Sequence, residues 1–294
     1  MRKAVRWLGW AAAGLLLLAL LFAAWVWFAS WRVLAATHEA APERLPAVNA
    51  AQLAEGGRQA RILGCHSCHG EGLRGRMMFD APHVVRVWAP NLVELAARSS
   101  DQQLAQAIRQ GVGHDGRALY FMPSALYSRL NEAEVAALIA HIRSLPNGGE
   151  RLADLEWGPI GRFVLATGGI PAQRDLLADY RARLPFDAGP ATAAGRRLVS
   201  IQCADCHAPD ISGGEPMPGV HSPGLSIAGA YSREQFRALM RTGRPPGGRE
   251  LRMMTEAALN DLRHYTAAEI DQIYDYLQAR AQRVTDPPPP TPEG

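Results

Sequence analysis

The sequence lacks most of the usual signals of enzyme chemistry. It shows no catalytic triad, phosphate-binding loop or flavin fingerprint. Only Lys3 is a lysine, so almost all of the positive charge is carried by arginine. All four cysteines fall within two short motifs, which leaves no thiol for a structural disulfide or for a thiolate zinc cluster. These two motifs are therefore the main indication of chemistry in the chain.

Both cysteine motifs read Cys-x-x-Cys-His, at Cys65–His69 and at Cys203–His207. The spacing is typical of covalent haem attachment, because two thiols one helical turn apart can form thioethers with the two vinyl groups of one porphyrin. A Cys-x-x-Cys pair alone would also be compatible with a zinc site or a redox dithiol, but the histidine in both copies favours haem c. The predicted site is two covalent haems held by Cys65, Cys68, Cys203 and Cys206, with His69 and His207 as proximal iron ligands.

The net charge argues against nucleic acid as a partner. The chain carries a formal charge of +3 at pH 7. Two haems would add four propionates, which brings the reduced holoprotein to about −1. No excess of positive charge is then left to attract a phosphate backbone.

An uncharged run of 25 residues, Trp7–Trp31, predicts a transmembrane anchor. As a helix it would span roughly 37 Å, enough for a hydrocarbon core of about 30 Å with some tilt. Tryptophans cluster at both ends, as in interfacial aromatic belts. Three cations precede the run, so the positive-inside rule predicts that residues 1–6 are cytoplasmic and that the rest faces the periplasm from the inner membrane.

A cleavable signal peptide is the alternative interpretation of this run. Val33-Leu34-Ala35 is an acceptable small-residue cleavage site, and the mature chain would then begin near Ala36. The apolar run is longer than a usual signal-peptide core, which favours a retained anchor. Both interpretations export the haem-bearing portion.

The two motifs head two similar modules, predicted at residues 50–147 and 190–283. Ala89–Leu92 in the first module matches Ser222–Leu225 in the second. Each module ends in an amphipathic helix that starts with a capping residue and an acid. No stretch alternates convincingly with period two, so the predicted fold is all-α. The remaining segments are predicted as a stalk at 32–49, a linker at 148–189 with a helical piece near 172–184, and a disordered proline-rich tail at 284–294.

The order of these features resembles the class I cytochromes c: a helix with a glycine, Cys-x-x-Cys-His, a proline loop, a middle helix, a methionine segment and a final helix. The tandem arrangement behind an anchor is similar to membrane-bound dihaem cytochromes that accept electrons from periplasmic dehydrogenases. This resemblance implies an electron carrier rather than an enzyme. The implied partners are redox proteins, namely a periplasmic dehydrogenase subunit, an oxidase or a soluble cytochrome. It also implies that Gly57 and Gly195 let the first helix of each module cross the last one closely.

The distal iron ligands are expected to be methionines in the segment before the last helix, as in class I cytochromes. The first module offers Met122, followed by Pro123. The second offers Met253 and Met254, and the similarity of Met254-Thr255-Glu256 to the family segment favours Met254. Met77 and Met78 are interpreted as hydrophobic residues that fill space in a loop. Met217 is a weaker candidate ligand, and Met240 is interpreted as a core residue in a helix.

The prolines after each motif are expected to hold the proximal ligands. The carbonyls of Pro90 and Pro223 can accept the Nδ1–H of His69 and His207 and so orient the two rings.

The other histidines leave open two alternatives to a carrier with methionine-ligated haems. His83, His114, His221 and His264 could form bis-histidine haems, but the favoured interpretation places all four in exposed loops. A dihaem cytochrome c peroxidase would need one displaceable distal ligand and an acid-base group such as His83 or His114. The availability of Met122 and Met254 favours the carrier.

Overall fold

The computed structural model describes residues 2–217 and 219–286, so most of the predicted tail lies outside the described residues. The chain is mostly helical, with an N-terminal apolar helix followed by two helical domains, which confirms the predicted fold class. Helix α1 spans Arg2–Ala35. Its segment Val5–Ala35 has a mean hydropathy of 2.3 and is long and apolar enough to cross a membrane, by length and composition alone.

The first domain contains six helices and one hairpin between residues 50 and 144. Its elements are α2 (Ala50–Ile62), α3 (Cys65–His69), β1 (Arg76–Ala81), β2 (Val85–Ala89), α4 (Leu92–Ala97), α5 (Asp101–Gln110), α6 (Ser124–Tyr127) and α7 (Glu132–Ser144). Of the stalk predicted at 32–49, the first four residues belong to α1, and further along the backbone N–H groups of Ala41 and Glu43 donate to the side chains of Gln110 and Gln102 in α5.

A connecting segment and a second domain follow. The segment contains β3 (Glu156–Trp157), α8 (Pro159–Ala166) and α9 (Gln173–Ala182), and α9 corresponds to the helical piece predicted near 172–184. The second domain contains α10 (Ala193–Gln202), β4 (Gly213–Met217), β5 (Val220–Pro223), α11 (Arg233–Thr242), α12 (Met253–Asn260) and α13 (Ala267–Ala281). Short 3-10 turns at Leu225–Ala230 and Leu262–His264 complete it.

Local helix signals are confirmed by the structure. Asn131 and Thr266 form capping boxes at the start of α7 and α13, and Ser232 forms one at the start of α11. In each box the side chain of the capping residue and that of the acid or amide three residues later satisfy two free backbone N–H groups.

Two small sheets were not predicted. Strands β1, β2 and β3 form an antiparallel sheet in that order, and β4 pairs with β5. In β2 the side chains of Val85, Val87 and Ala89 are buried whereas Arg86 and Trp88 between them are half-buried. This alternation covers only five residues, too few to stand out from the surrounding helical pattern.

The first and last helices of each domain cross at a glycine. A Cβ on Gly195 would lie 1.9 Å from the carbonyl oxygen of Gln272 in α13, so the close crossing predicted there is confirmed. In the first domain the prediction of Gly57 was wrong, because a Cβ on Gly56 would lie 2.2 Å from the carbonyl oxygen of Ala137. The crossing glycine lies nine residues before Cys65 in the first domain but eight before Cys203 in the second, and Gly64, in a left-handed conformation, lies in this longer connection.

The two domains pack through a pseudo-symmetric pair of contacts. Arg58 in α2 pairs with Glu269, the third residue of α13, at 2.8 Å. Arg197 in α10 pairs in the same way with Glu134, the third residue of α7. Since Arg58 follows Gly56 and Arg197 follows Gly195 by the same two positions, each domain offers the same surface to the other. Buried apolar residues of both domains form one continuous cluster beneath these pairs.

The glycine crossing can be tested with two neighbouring substitutions in α2. Gly56→Ala should lower the free energy of unfolding by about 1–3 kcal/mol, because the added methyl group meets backbone that cannot move aside easily. Gly57→Ala is the matched control, since its Cβ would meet only the ring of His141, at 3.0 Å. That side chain can rotate away, and alanine also favours the helix by up to about 1 kcal/mol. Thermal unfolding that is equally affected by both changes would contradict this account of the crossing.

Candidate haem sites

The first cysteine motif forms a single helical turn and the second a hydrogen-bonded turn. Cys65 is the first and Cys68 the fourth of the five residues of α3, and the backbone N–H of His207 donates to the carbonyl of Cys203 at 3.0 Å. Both arrangements place the two cysteines of a motif one turn apart. All four thiols are unpaired and half-buried.

The electrostatics of these thiols do not suit a redox dithiol. Burial raises the pKa of Cys65 and of Cys203 to about 12, with the paired cysteine adding to the effect. Burial also raises the pKa of Cys206, to about 11, and that of Cys68. Reactive dithiols have a lowered pKa instead. Among the residues that the structure describes, no group of three or more His, Cys, Asp or Glu side chains is placed to hold a metal ion.

The motif histidines are held by the proline carbonyls. His69 Nδ1 lies 2.8 Å from the carbonyl oxygen of Pro90, and His207 Nδ1 lies 2.7 Å from that of Pro223. Because a carbonyl only accepts, Nδ1 carries the proton and Nε2 keeps its lone pair. Burial lowers the pKa of both histidines, although the carbonyl contacts oppose the effect. Each imidazole is therefore neutral and oriented, as an iron ligand must be.

Two glycines that the sequence analysis missed close the loops behind these histidines. The N–H of Gly75 donates to the carbonyl of His69 at 2.6 Å, and that of Gly213 donates to the carbonyl of His207 at 3.0 Å. Both have a positive φ, 84° and 108°, which favours glycine. Their equal spacing of six residues after each motif histidine was a signal that could have identified them.

The methionines differ in their burial. Met122 and Met254 are half-buried and pack against the core cluster, whereas 37% of the surface of Met253 is exposed. Met122 lies in a loop, but Met254 is the second residue of α12 rather than a loop residue. Met240 is buried in the core, as predicted.

Three further methionines lie in or beside strands that the sequence analysis missed. Met77 and Met78 belong to β1 instead of a loop, and 44% of the surface of Met77 is exposed. Met217, at the end of β4, is 52% exposed.

The remaining histidines are only partly as expected. His83 and His221 are exposed, but His114 and His264 are half-buried, so the expectation of an exposed loop was wrong for these two. His264 lies at the domain interface, where its carbonyl accepts from Arg58 at 3.3 Å. His141 belongs to α7 and faces Gly57 of α2, with its ring 6.3 Å from that of His66.

The two motifs approach each other across the domain interface. Ser67 of the first motif donates a hydrogen bond to Asp261 of the second domain. The pKa of Cys68 is raised by burial, and then by the negative charges of Asp261 and of Asp205 in the second motif. Burial raises the pKa of Asp261 to about 6, against the effect of the hydrogen bond from Ser67. Residues from each motif thus face the other domain.

Comparisons with known proteins agree with these two sites. The family model described as "Cytochrome c" matches residues 53–146 and 192–281. A "Fructose dehydrogenase cytochrome subunit" from Gluconobacter japonicus is 23% identical over 243 residues. The match covers 73% of this chain and 50% of that protein, so the chain spans about half the length of the curated relative.

Covalent attachment can be tested one motif at a time. Cys206→Ala should leave the second domain with at most one thioether, and the first domain with both of its own, because each motif holds its own group. Cys68→Ala is the mirror-image control and should reverse the pattern. Mass spectrometry of peptides from each domain, with pyridine haemochrome spectra, measures the attachment. Two thioethers per haem in the Cys206→Ala protein would contradict the assignment.

Proposed function

The chain belongs to the cytochrome c family, as a tandem of two class I domains, and we propose that it relays single electrons through two covalently bound haems c. The observation that carries the proposal is the repeated arrangement of a Cys-x-x-Cys pair with a histidine whose Nδ1 contacts a proline carbonyl. The proposed donor is a dehydrogenase or a quinol-linked protein, and the proposed acceptor is a downstream carrier or an oxidase. Electron transfer itself follows from the family.

Each domain supplies a full set of ligands in this proposal. The vinyl groups of the first haem would be held by Cys65 and Cys68, and those of the second by Cys203 and Cys206. Haem c, when bound, supplies a one-electron iron couple. The Nε2 atoms of His69 and His207 are left free by the contacts at Nδ1 and would bind the iron, and the hydrogen bonds at Nδ1 would make these nitrogens better donors.

Met122 and Met254 are the proposed distal ligands. Their half-buried positions against the core support this choice, and the greater exposure of Met253 favours Met254 over its neighbour. A thioether favours ferrous iron and keeps the distal face closed to small molecules, which suits a carrier.

The proximity of the two motifs supports a relay within one chain. Ser67 of the first motif donates a hydrogen bond to Asp261 of the second domain, so the first motif lies at the domain interface. The paired contacts Arg58–Glu269 and Arg197–Glu134 support a fixed orientation of the domains. Hydrogen bonds from Arg58 and Thr266 outweigh the effect of burial and keep the pKa of Glu269 below its ordinary value.

We propose that α1 stays attached and anchors the chain in the inner membrane, with both domains in the periplasm. Packing of α1 against α8 supports retention, because Ser30 is fully buried there and accepts a hydrogen bond from Arg162 at 3.2 Å. Cleavage near Ala36 would expose the face of α8 that this contact covers.

The similarity to a cytochrome subunit of fructose dehydrogenase supports a periplasmic dehydrogenase subunit as the electron donor. In such a complex the chain would be the acceptor of electrons and a separate subunit would oxidise the substrate.

The axial ligands are tested by three substitutions. Met122→His and Met254→His should each lower the potential of one haem and leave the other nearly unchanged, since imidazole is a better donor to ferric iron and axial ligands set a range of about 0.8 V. Met253→His is the matched control and should change neither potential. A spectroelectrochemical titration, read with the methionine–iron charge-transfer band, measures the result.

Two outcomes would contradict the assignment. A shift caused by Met253→His and not by Met254→His would make Met253 the ligand. Absence of a methionine signature in the native protein, together with turnover of hydrogen peroxide with a reduced partner, would support the dihaem peroxidase instead of the carrier.

Retention of the anchor is tested by the mass and N-terminal sequence of the protein purified from membranes. We expect α1 to be present in the mature chain. A chain that begins near Ala36 would contradict the anchor but leave the electron-transfer proposal intact.

A further inference from the structure

We infer that α8 is a second membrane contact, whose Ile160 and Phe163 side chains enter the periplasmic leaflet of the bilayer beside α1. The inference rests on the proposed anchor and adds to it a lipid-binding surface in the segment between the two domains. Three observations carry it: the side chains that α8 exposes, the part of α1 that it packs against, and its attachment to the first domain.

The free face of α8 is apolar. Ile160 is 53% exposed and Phe163 is 41% exposed. They are three residues apart and so lie on one face of the helix, whereas Gly161 and Leu165 are buried on the other side. No acidic residue occurs between Glu156 and Asp175, so nothing in this stretch would be repelled by an anionic lipid surface.

The position of α8 along α1 identifies lipid as what covers this face. The ring of Phe163 lies 5.9 Å from that of Phe22, which is inside the uncharged run of the proposed anchor. The guanidinium of Arg162 lies 3.9 Å from the centre of the Trp27 ring, within the group of tryptophans at the outer end of that run. A cation on an interfacial tryptophan next to a phenylalanine at acyl-chain level is the arrangement of a helix that lies in the membrane surface.

The first domain is fixed to α8 by its backbone. The N–H of Gly158 donates to the carbonyl of Val84, and that of Ile160 to the carbonyl of His83, both at 2.9 Å. A Cβ on Gly161 would lie 2.0 Å from the carbonyl oxygen of Val84, so the two segments are in direct contact. A second contact through α8 fixes the height and tilt of the first haem site above the bilayer.

Lipid contact can be measured on the native full-length holoprotein. We would reconstitute it into vesicles of phosphatidylcholine and phosphatidylglycerol that contain a diazirine-bearing phosphatidylcholine, irradiate them and map the labelled peptides. Label on α1 and on the peptide containing Ile160 and Phe163 is expected, with none on the peptide containing Ile227, which is 48% exposed in the second domain. Label on α1 alone would overturn the contact at α8 and leave the anchor intact, whereas label on neither would overturn both.

A matched pair of cysteine variants gives an independent readout, because the native cysteines are all expected to be consumed as thioethers. Ile160→Cys and Ile227→Cys would each add one reactive thiol at a site of similar exposure. A charged maleimide should label Ile160→Cys about tenfold more slowly than Ile227→Cys in these vesicles, since alkylation needs the thiolate and a thiol in lipid stays protonated. Equal rates in protein that floats with the vesicles and keeps its haem spectrum would overturn the inference.

Discussion

The hydrogen bond from each motif histidine to a proline carbonyl is the constraint on which both sites depend. It fixes the tautomer, so that Nε2 is free. It also fixes the distance between the motif and the end of the second strand of the hairpin that follows, β2 in the first domain and β5 in the second. In the first domain the next residue, Asn91, is buried and caps α4 by accepting from the N–H groups of Val93 and Glu94. Gly75 closes the same loop from the other side. The ring is thus held by backbone that is itself hydrogen-bonded, which is what a preorganised ligand requires.

The repeat then determines how the domains meet. Each first helix offers an arginine to the third residue of the last helix of the other domain, and the first motif turns its third residue, Ser67, towards the second domain. Partly exposed ion pairs of this kind contribute only about 0–1 kcal/mol each, so stability at the interface comes mainly from the shared apolar cluster. The ion pairs instead determine how the two domains are aligned with each other. The symmetry is not complete, because the residue five positions before the capping residue of the last helix is Asp261 in the second domain but Leu126 in the first.

Much of this was accessible from sequence because the relevant signals are local. The motifs, the capping boxes at Asn131 and Thr266, and the apolar run of α1 each lie within a short window. What was missed depends on contacts between distant segments. The glycine at the first helix crossing was misplaced by one residue because equal spacing before the two motifs was assumed, whereas the first domain has one residue more between its crossing glycine and Cys65. Strand β2 is recognised through its pairing with β1 and β3, and the packing of α8 on α1 joins segments that no local pattern connects.

The central claim is that the two sites exchange electrons within one chain, and intramolecular transfer can be measured directly. In the Met122→His protein the first haem should be spectrally distinct and of lower potential. A pulse of radiolytic electrons, fewer than one per chain, would be followed by the absorption of both haems. The account predicts that electrons move from the first haem to the second at a first-order rate that does not depend on protein concentration. A rate that rises in proportion to concentration, or no redistribution at all, would contradict it.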